Sequence, residues 1–179
     1  MVSILAGYVN ASVCNVVVNC DIPAEFFSNV GFYDLEIGSS CHIIGDYAFE
    51  SATLGSVVIQ NGVTSIGDYA FSFAELDSIA IPSSVTSIGD GALTHVYNNV
   101  YIDSSSIANQ LYQDDSYIYN KLDYCHLENI YIKNDCYNST YNVIYCDNPD
   151  WNLQFICNGS ADANGYYKYE RTEIDPYSE

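Results

Sequence analysis

Apolar residues along this chain fall into short alternating runs that return at a fixed interval. Leu35/Ile37, Val57/Ile59 and Ile79/Ile81 are three such pairs, each 22 residues from the next. Cys41, Val63 and Val85 keep the same spacing, as do Ile44, Ile66 and Ile88, and then Phe49, Phe71 and Leu93. β-branched residues at alternate positions predict a short strand with Val57 and Ile59 pointing inward. Polar, Gly and Pro residues (Gln60-Asn61-Gly62, Pro82-Ser83-Ser84) then turn the chain. Gly67-Asp68-Tyr69-Ala70-Phe71 is predicted as one helical turn whose Phe closes the coil, so that Phe27, Phe49, Phe71 and Leu93 stack as one interior ladder. A strict period of this length marks a solenoid, in which each unit buries its apolar edge only against the next.

Degenerate copies flank the clear ones, which run over 32–104. Val16-Val17-Val18 followed by Ile22 to Phe27 reads as a first coil, and the strands of Tyr101-Ile102 and Tyr131-Ile132 as later ones. Between these two, Ile107/Leu111 and Ile118/Leu122 at i,i+4 spacing predict one longer helix or two short ones. The solenoid is assigned to 1–122. From 123 to 179 the texture changes to four Tyr- and Cys-rich runs separated by turn formers, expected as an antiparallel β meander that caps the last coil. Five or six strands at a spacing of about 4.8 Å make a stack only about 25 Å tall.

The run Ile81-Pro82-Ser83-Ser84-Val85-Thr86-Ser87-Ile88-Gly89-Asp90, followed by Ala and an apolar residue, resembles the BspA-type leucine-rich repeat over roughly residues 20–104. That resemblance implies a short leucine-rich repeat stack with a parallel β-sheet. It also implies a non-catalytic surface module, since proteins of that family occur on bacteria, parasitic protists and some large DNA viruses, and several are adhesins. A mid-unit position that often holds Cys or Gly in the family carries Ala52 and Ala74 here, which removes one familial reason to expect redox or metal chemistry in the coils.

Charge narrows the partners. Four basic against 23 acidic residues give a formal charge of −19, and the basic ones are Lys121, Lys133, Lys168 and Arg171, so nothing before position 121 is cationic. Nucleic acid and anionic membrane surfaces need Lys and Arg to meet their phosphates, so both are excluded as partners. No apolar run approaches the ~20 residues of a spanning helix. What remains are cations, cationic proteins, neutral glycans and further copies of the chain.

Candidate chemistry is sparse. Cys125, Cys136, Cys146 and Cys157 recur in the tail without a Cys-x-x-Cys pair, which points to buried thiols or disulfides rather than zinc. With seven cysteines and sequons at Asn10, Asn138 and Asn158, this favours an extracellular or cell-surface setting, although the first residues lack a basic leader region. His42, His95 and His126 have no nucleophile motif around them, so no enzyme and no cofactor is expected. Asp46, Asp68 and Asp90 stack in register. Each is expected to cap amides at the start of its own turn, with a Ca²⁺ column as the alternative.

Strand parity defines the binding face. If Val57 and Ile59 point inward, Glu36, Val58, Ala80, Tyr101 and Tyr131 point outward in one row, running from acidic through apolar to aromatic. Asp34, Ser56, Ser78 and Asn99 form a second outward row. The expected function is therefore protein or glycan binding on that face, adhesin-like. The alternative is self-assembly into a filament, coat or virion through sheet edges and the tail.

Overall fold

The computed structural model describes residues 15–112, 126–140, 143–148, 151–157 and 159–173. Asn10, Asn158, Cys125 and the second half of the expected helical region lie outside them, and of Cys146 the backbone alone is described. The chain forms a parallel β-solenoid of about four turns. Each clear coil gives one longer strand and one two-residue strand. The longer ones are β1 (Asn15–Val18), β2 (Gly31–Ile37), β4 (Thr53–Ile59), β6 (Ser78–Ile81), β8 (Tyr97–Ile102) and β9 (His126–Lys133). The short ones are β3 (Ile43–Ile44), β5 (Ser65–Ile66) and β7 (Ser87–Ile88). Helix α1 (Ser105–Tyr112) follows β8 and buries Ile107, Ala108 and Leu111, in keeping with the i,i+4 reading.

Register follows the repeat. Leu35 pairs with Val57 and Ile37 with Ile59, while Ile44, Ile66 and Ile88 pair across β3, β5 and β7. The first coil is confirmed by Val16 opposite Leu35 and by the Ile22–Ile44 bridge. Inside, the rings of Phe27, Phe49 and Phe71 stack at 5.4 and 5.1 Å. Leu93 continues the interior column, and Ala48, Ala52, Ala70, Ala74 and Ala92 are wholly buried beside it. Alanine there reflects a narrow coil with no space for a longer side chain.

The expected helical turn does not form. In the segment after β3, the amides of Tyr47, Phe49 and Ser51 donate to the carbonyls of Asp68, Ala70 and Ser72 in the next coil at 2.7–2.9 Å. The intervening amides of Ala48, Glu50 and Ala52 close tight turns back to Gly45, Tyr47 and Phe49. An α-helix would aim every amide back along its own axis. Alternation instead requires residues in the left-handed region, and Tyr47 (φ 54°), Ser51 (54°), Tyr69 (53°) and Phe73 (54°) adopt it. The segment is a third inter-coil ladder. Its equivalents in the next coil are Gly91, which takes this conformation at no steric cost, and His95.

The cap also differs from a meander. β10 (Val143–Asn148), β11 (Trp151–Cys157) and β12 (Tyr166–Glu173) pair antiparallel in sequence, but β12 then pairs with β9. The order β10-β11-β12-β9-β8-β6 makes cap and last coils one continuous six-stranded sheet. The other long-strand sheet is β1-β2-β4. Between β4 and β6 the ladder lapses to a single Thr53–Glu75 bridge, although β5 and β7 stay paired across the same two coils. The inward Val57 and Ile59 beside this seam are 9% and 7% exposed, against 0–1% for Leu35, Ile37, Ile79 and Ile81.

Candidate functional site

The outward row divides at the seam. Glu36 pairs with Val58 in one sheet, and Ala80, Tyr101 and Tyr131 pair in sequence in the other. Their alternation with buried Val100, Ile102, Ile130 and Ile132 fixes the outward direction. Tyr101 and Tyr131 stack at 4.6 Å with an interplanar angle of 13°. In the second row Ser78, Asn99 and Asn129 pair across the sheet, and the Asn129 amide donates to Asn99 at 2.9 Å. On the first sheet, Ser56 donates to Asp34 at 2.5 Å and the Gln60 amide to Glu36 at 3.2 Å.

The other edge of the outward face, expected to hold Gln60 and Asp103, gathers further partners around Asp103. Lys133 lies 2.8 Å from the Asp103 carboxylate, and the Tyr166 hydroxyl donates to the same carboxylate at 2.6 Å. Tyr166 meets Tyr101 edge-on at 5.6 Å, and the Lys133 ammonium stands 6.0 Å from the Tyr166 ring centroid. The bond to Asp103 raises the Lys133 pKa, and burial together with Asp103 raises that of the Tyr166 phenol, so the ammonium and the hydroxyl both hold their protons here. Lys168 stands opposite Tyr131 in the β12–β9 register and is held at 2.7 Å by Glu170. Lys133 and Asp103 meet through the β8–β9 pairing, but Tyr166, Lys168 and Glu170 join them because β12 returns to β9, a long-range pairing with no local signal; their alternation was the only hint.

The aspartate column serves backbone amides, but those of the following coil. Asp46 Oδ1 accepts from the Asp68 amide and Asp68 Oδ1 from the Asp90 amide, both at 2.9 Å. Asp21 does likewise for His42 and Ile43, and these two bonds hold its carboxyl below the usual range. Stacking places each carboxylate next to an outgoing N–H rather than its own. Among the described residues no group of three His, Cys, Asp or Glu is placed to hold a metal ion.

Cys136 and Cys157, two of the expected disulfide partners, are free thiols, as are Cys20 and Cys41. The Cys136 thiol donates to the Asp103 carbonyl at 3.3 Å, and burial with the Asp135 carboxylate beside it pushes its pKa up to about 11. Burial, then Asp21, raises that of Cys41. Two pH units cut the thiolate fraction roughly a hundredfold. Alkylation of native protein at pH 8, followed by peptide mass mapping, is therefore expected to modify exposed Cys20 first, with Cys41 and Cys136 labelled only on unfolding. Asn138, the sequon asparagine within the described residues, is half-buried and accepts from the Thr140 amide in a turn whose next two residues are exposed. His42 sits 3.7 Å from Asp21, and His95 stacks on Phe73 at 3.9 Å.

Comparison with known families agrees with this geometry. The BspA-type leucine-rich repeat region matches residues 20–148 in six copies. The chain belongs to the BspA-type leucine-rich repeat family. No curated protein and no solved structure matches it. The six copies reach into the cap as far as β10, beyond the 104 at which the visible repeat fades. BspA-type repeats form surface or protein-interaction modules, are typically non-catalytic and are commonly surface-associated. In this BspA-type protein no helix among the described residues is long and apolar enough to cross a membrane.

Proposed function

We propose that this chain is a non-catalytic, adhesin-like binding module of the cell surface whose outward sheet face grips a protein or glycan partner. The observation that carries the reading is the Tyr101–Tyr131 stack with Tyr166 set against it, a preformed aromatic cluster on the outward sheet face. Half-exposed aromatic residues bring large contact area with little entropy to lose, which suits an interface. The solenoid of 1–122 presents the face, and the cap of 123–179 completes it through β9 and β12.

Replacing Tyr101 and Tyr131 by serine is expected to cut adhesion to the native target surface about tenfold, since two central anchors are lost. Circular dichroism should stay unchanged because both side chains lie outside the core. Undiminished adhesion would count against the module.

The self-assembly reading rests on the other end of the stack. Val17, Phe26 and Val30 are 55%, 48% and 39% exposed on or beside the first coil. Light scattering decides here: a monodisperse monomer disfavours a filament or coat.

A further inference from the structure

The aromatic ladder on the outward face is finished at one end and bare at the other. At the Tyr131 end, Lys168 stands directly opposite the ring, its ammonium fixed by Glu170. One strand on from Tyr101 the in-register residue is Ala80, whose methyl group cannot cover a phenol ring. Beyond it Val58 is 50% exposed and Glu36 ends the row, oriented by Gln60. Among the described residues, then, the rung above Ala80 has an apolar floor and an aromatic wall, with the Glu36 carboxylate in the neighbouring sheet across the seam. The same face already places Lys133 over Tyr166 and against Asp103, so it holds cations by pairing phenol rings with carboxylates.

We infer that the rung above Ala80, against Tyr101, receives the guanidinium of an arginine from an extended basic segment of a partner protein. A guanidinium is flat and lies parallel to a phenol ring as a further rung would, which an ammonium cannot do. Glu36 takes the next basic side chain of the same segment. Charge complementarity supports this occupant: every Lys and Arg of the chain lies at or beyond residue 121, so the solenoid side of the face offers carboxylates without competing cations. Anionic glycans are repelled for the same reason. The inference rests on the binding-module reading and names its partner class.

The test is fluorescence anisotropy with labelled Gly-Arg-Gly-Arg-Gly-Arg-Gly, its citrulline counterpart (same shape, no charge) and maltoheptaose as competitor. The arginine peptide is expected to bind at least about tenfold more tightly than the citrulline peptide, and less tightly as salt rises. Ala80→Tyr, which fills the rung with a ring, and Tyr101→Ser, which removes the wall, are each expected to weaken binding about fivefold or more. Glu36→Gln should weaken it more than Glu50→Gln, an equal change of charge on another edge. No binding, equal binding of the citrulline peptide, or indifference to both Ala80→Tyr and Tyr101→Ser overturns the inference. So does displacement by maltoheptaose, which would assign the rung to a sugar. Adhesion lost on replacing Tyr101 and Tyr131, together with an indifferent arginine peptide, would sink the arginine assignment alone. Unchanged adhesion would sink the module reading beneath it.

Discussion

Gly67→Ala is expected to lower the thermal midpoint by about 10 °C, corresponding to a loss of about 3 kcal/mol or more. A methyl group at this position would stand 2.6 Å from the Asp46 amide nitrogen and 2.7 Å from the Gly45 carbonyl carbon of the preceding coil. Those are backbone atoms, so no rotamer change relieves the clash, and the two coils must separate. Separation strains the hydrogen bonds from the Gly67 amide to the Ile44 carbonyl (2.8 Å) and from the Asp68 amide to the Asp46 carboxylate (2.9 Å) together. Gly89 meets Asp68 and Gly67 in the same way, which explains why the repeat keeps glycine at 45, 67 and 89. Gly31→Ala is the control: its nearest neighbour is the Thr53 carbonyl at 4.0 Å, and a change within about 0.5 kcal/mol of neutral is expected. Calorimetry of the two variants side by side checks the argument. A Gly67→Ala midpoint within 3 °C of the parent would show that the coils are not in contact there.

Phe71→Ala is the second large effect, expected at about 4 kcal/mol. The ring has no exposed surface and stacks at 5.1 Å on Phe49, with buried Ala70, Ala74 and Leu93 around it. Removing it leaves a cavity between coils held apart by three ladders of hydrogen bonds on the Phe49 side and two on the Leu93 side, so the walls cannot collapse into it. Phe73, two residues on, is the contrast. It is 55% exposed and stacks on His95 at the surface, so Phe73→Ala should cost less than about 1 kcal/mol. Urea unfolding of both measures the difference. Similar midpoints for the two would mean that the phenylalanine ladder is not the core.

Much of this architecture was readable because a repeat states its own register. Once Leu35, Val57 and Ile79 are aligned, inward and outward positions follow by alternation, and the pairing of Tyr101 with Tyr131 comes with them. The turn after each short strand was not readable. Gly-Asp-Tyr-Ala-Phe suits a helical turn locally, and only the carbonyls of the neighbouring coil select the left-handed residues instead. Gly91 in the place of Tyr69 was the trace of that choice. The aspartates were assigned the right kind of partner in the wrong coil, since local reasoning looks along the chain and the solenoid satisfies amides across it. Tyr166 and Lys168 reached the site through the return of β12 to β9, which no local pattern encodes, whereas Lys133 came with the β8–β9 pairing.

The lapse between β4 and β6 sets the mechanics of the whole stack. Along that line the coils are laced by the β5–β7 pair and by the turn ladder from Tyr69, Phe71 and Phe73 to the next coil, but hardly at all on the outward sheet. A column fastened along two seams and slack along the third resists torsion while yielding to flexure about its fastened edge. Bending here changes the curvature of the displayed surface, moving Glu36 and Val58 toward or away from Ala80 and Tyr101 without disturbing the packed interior.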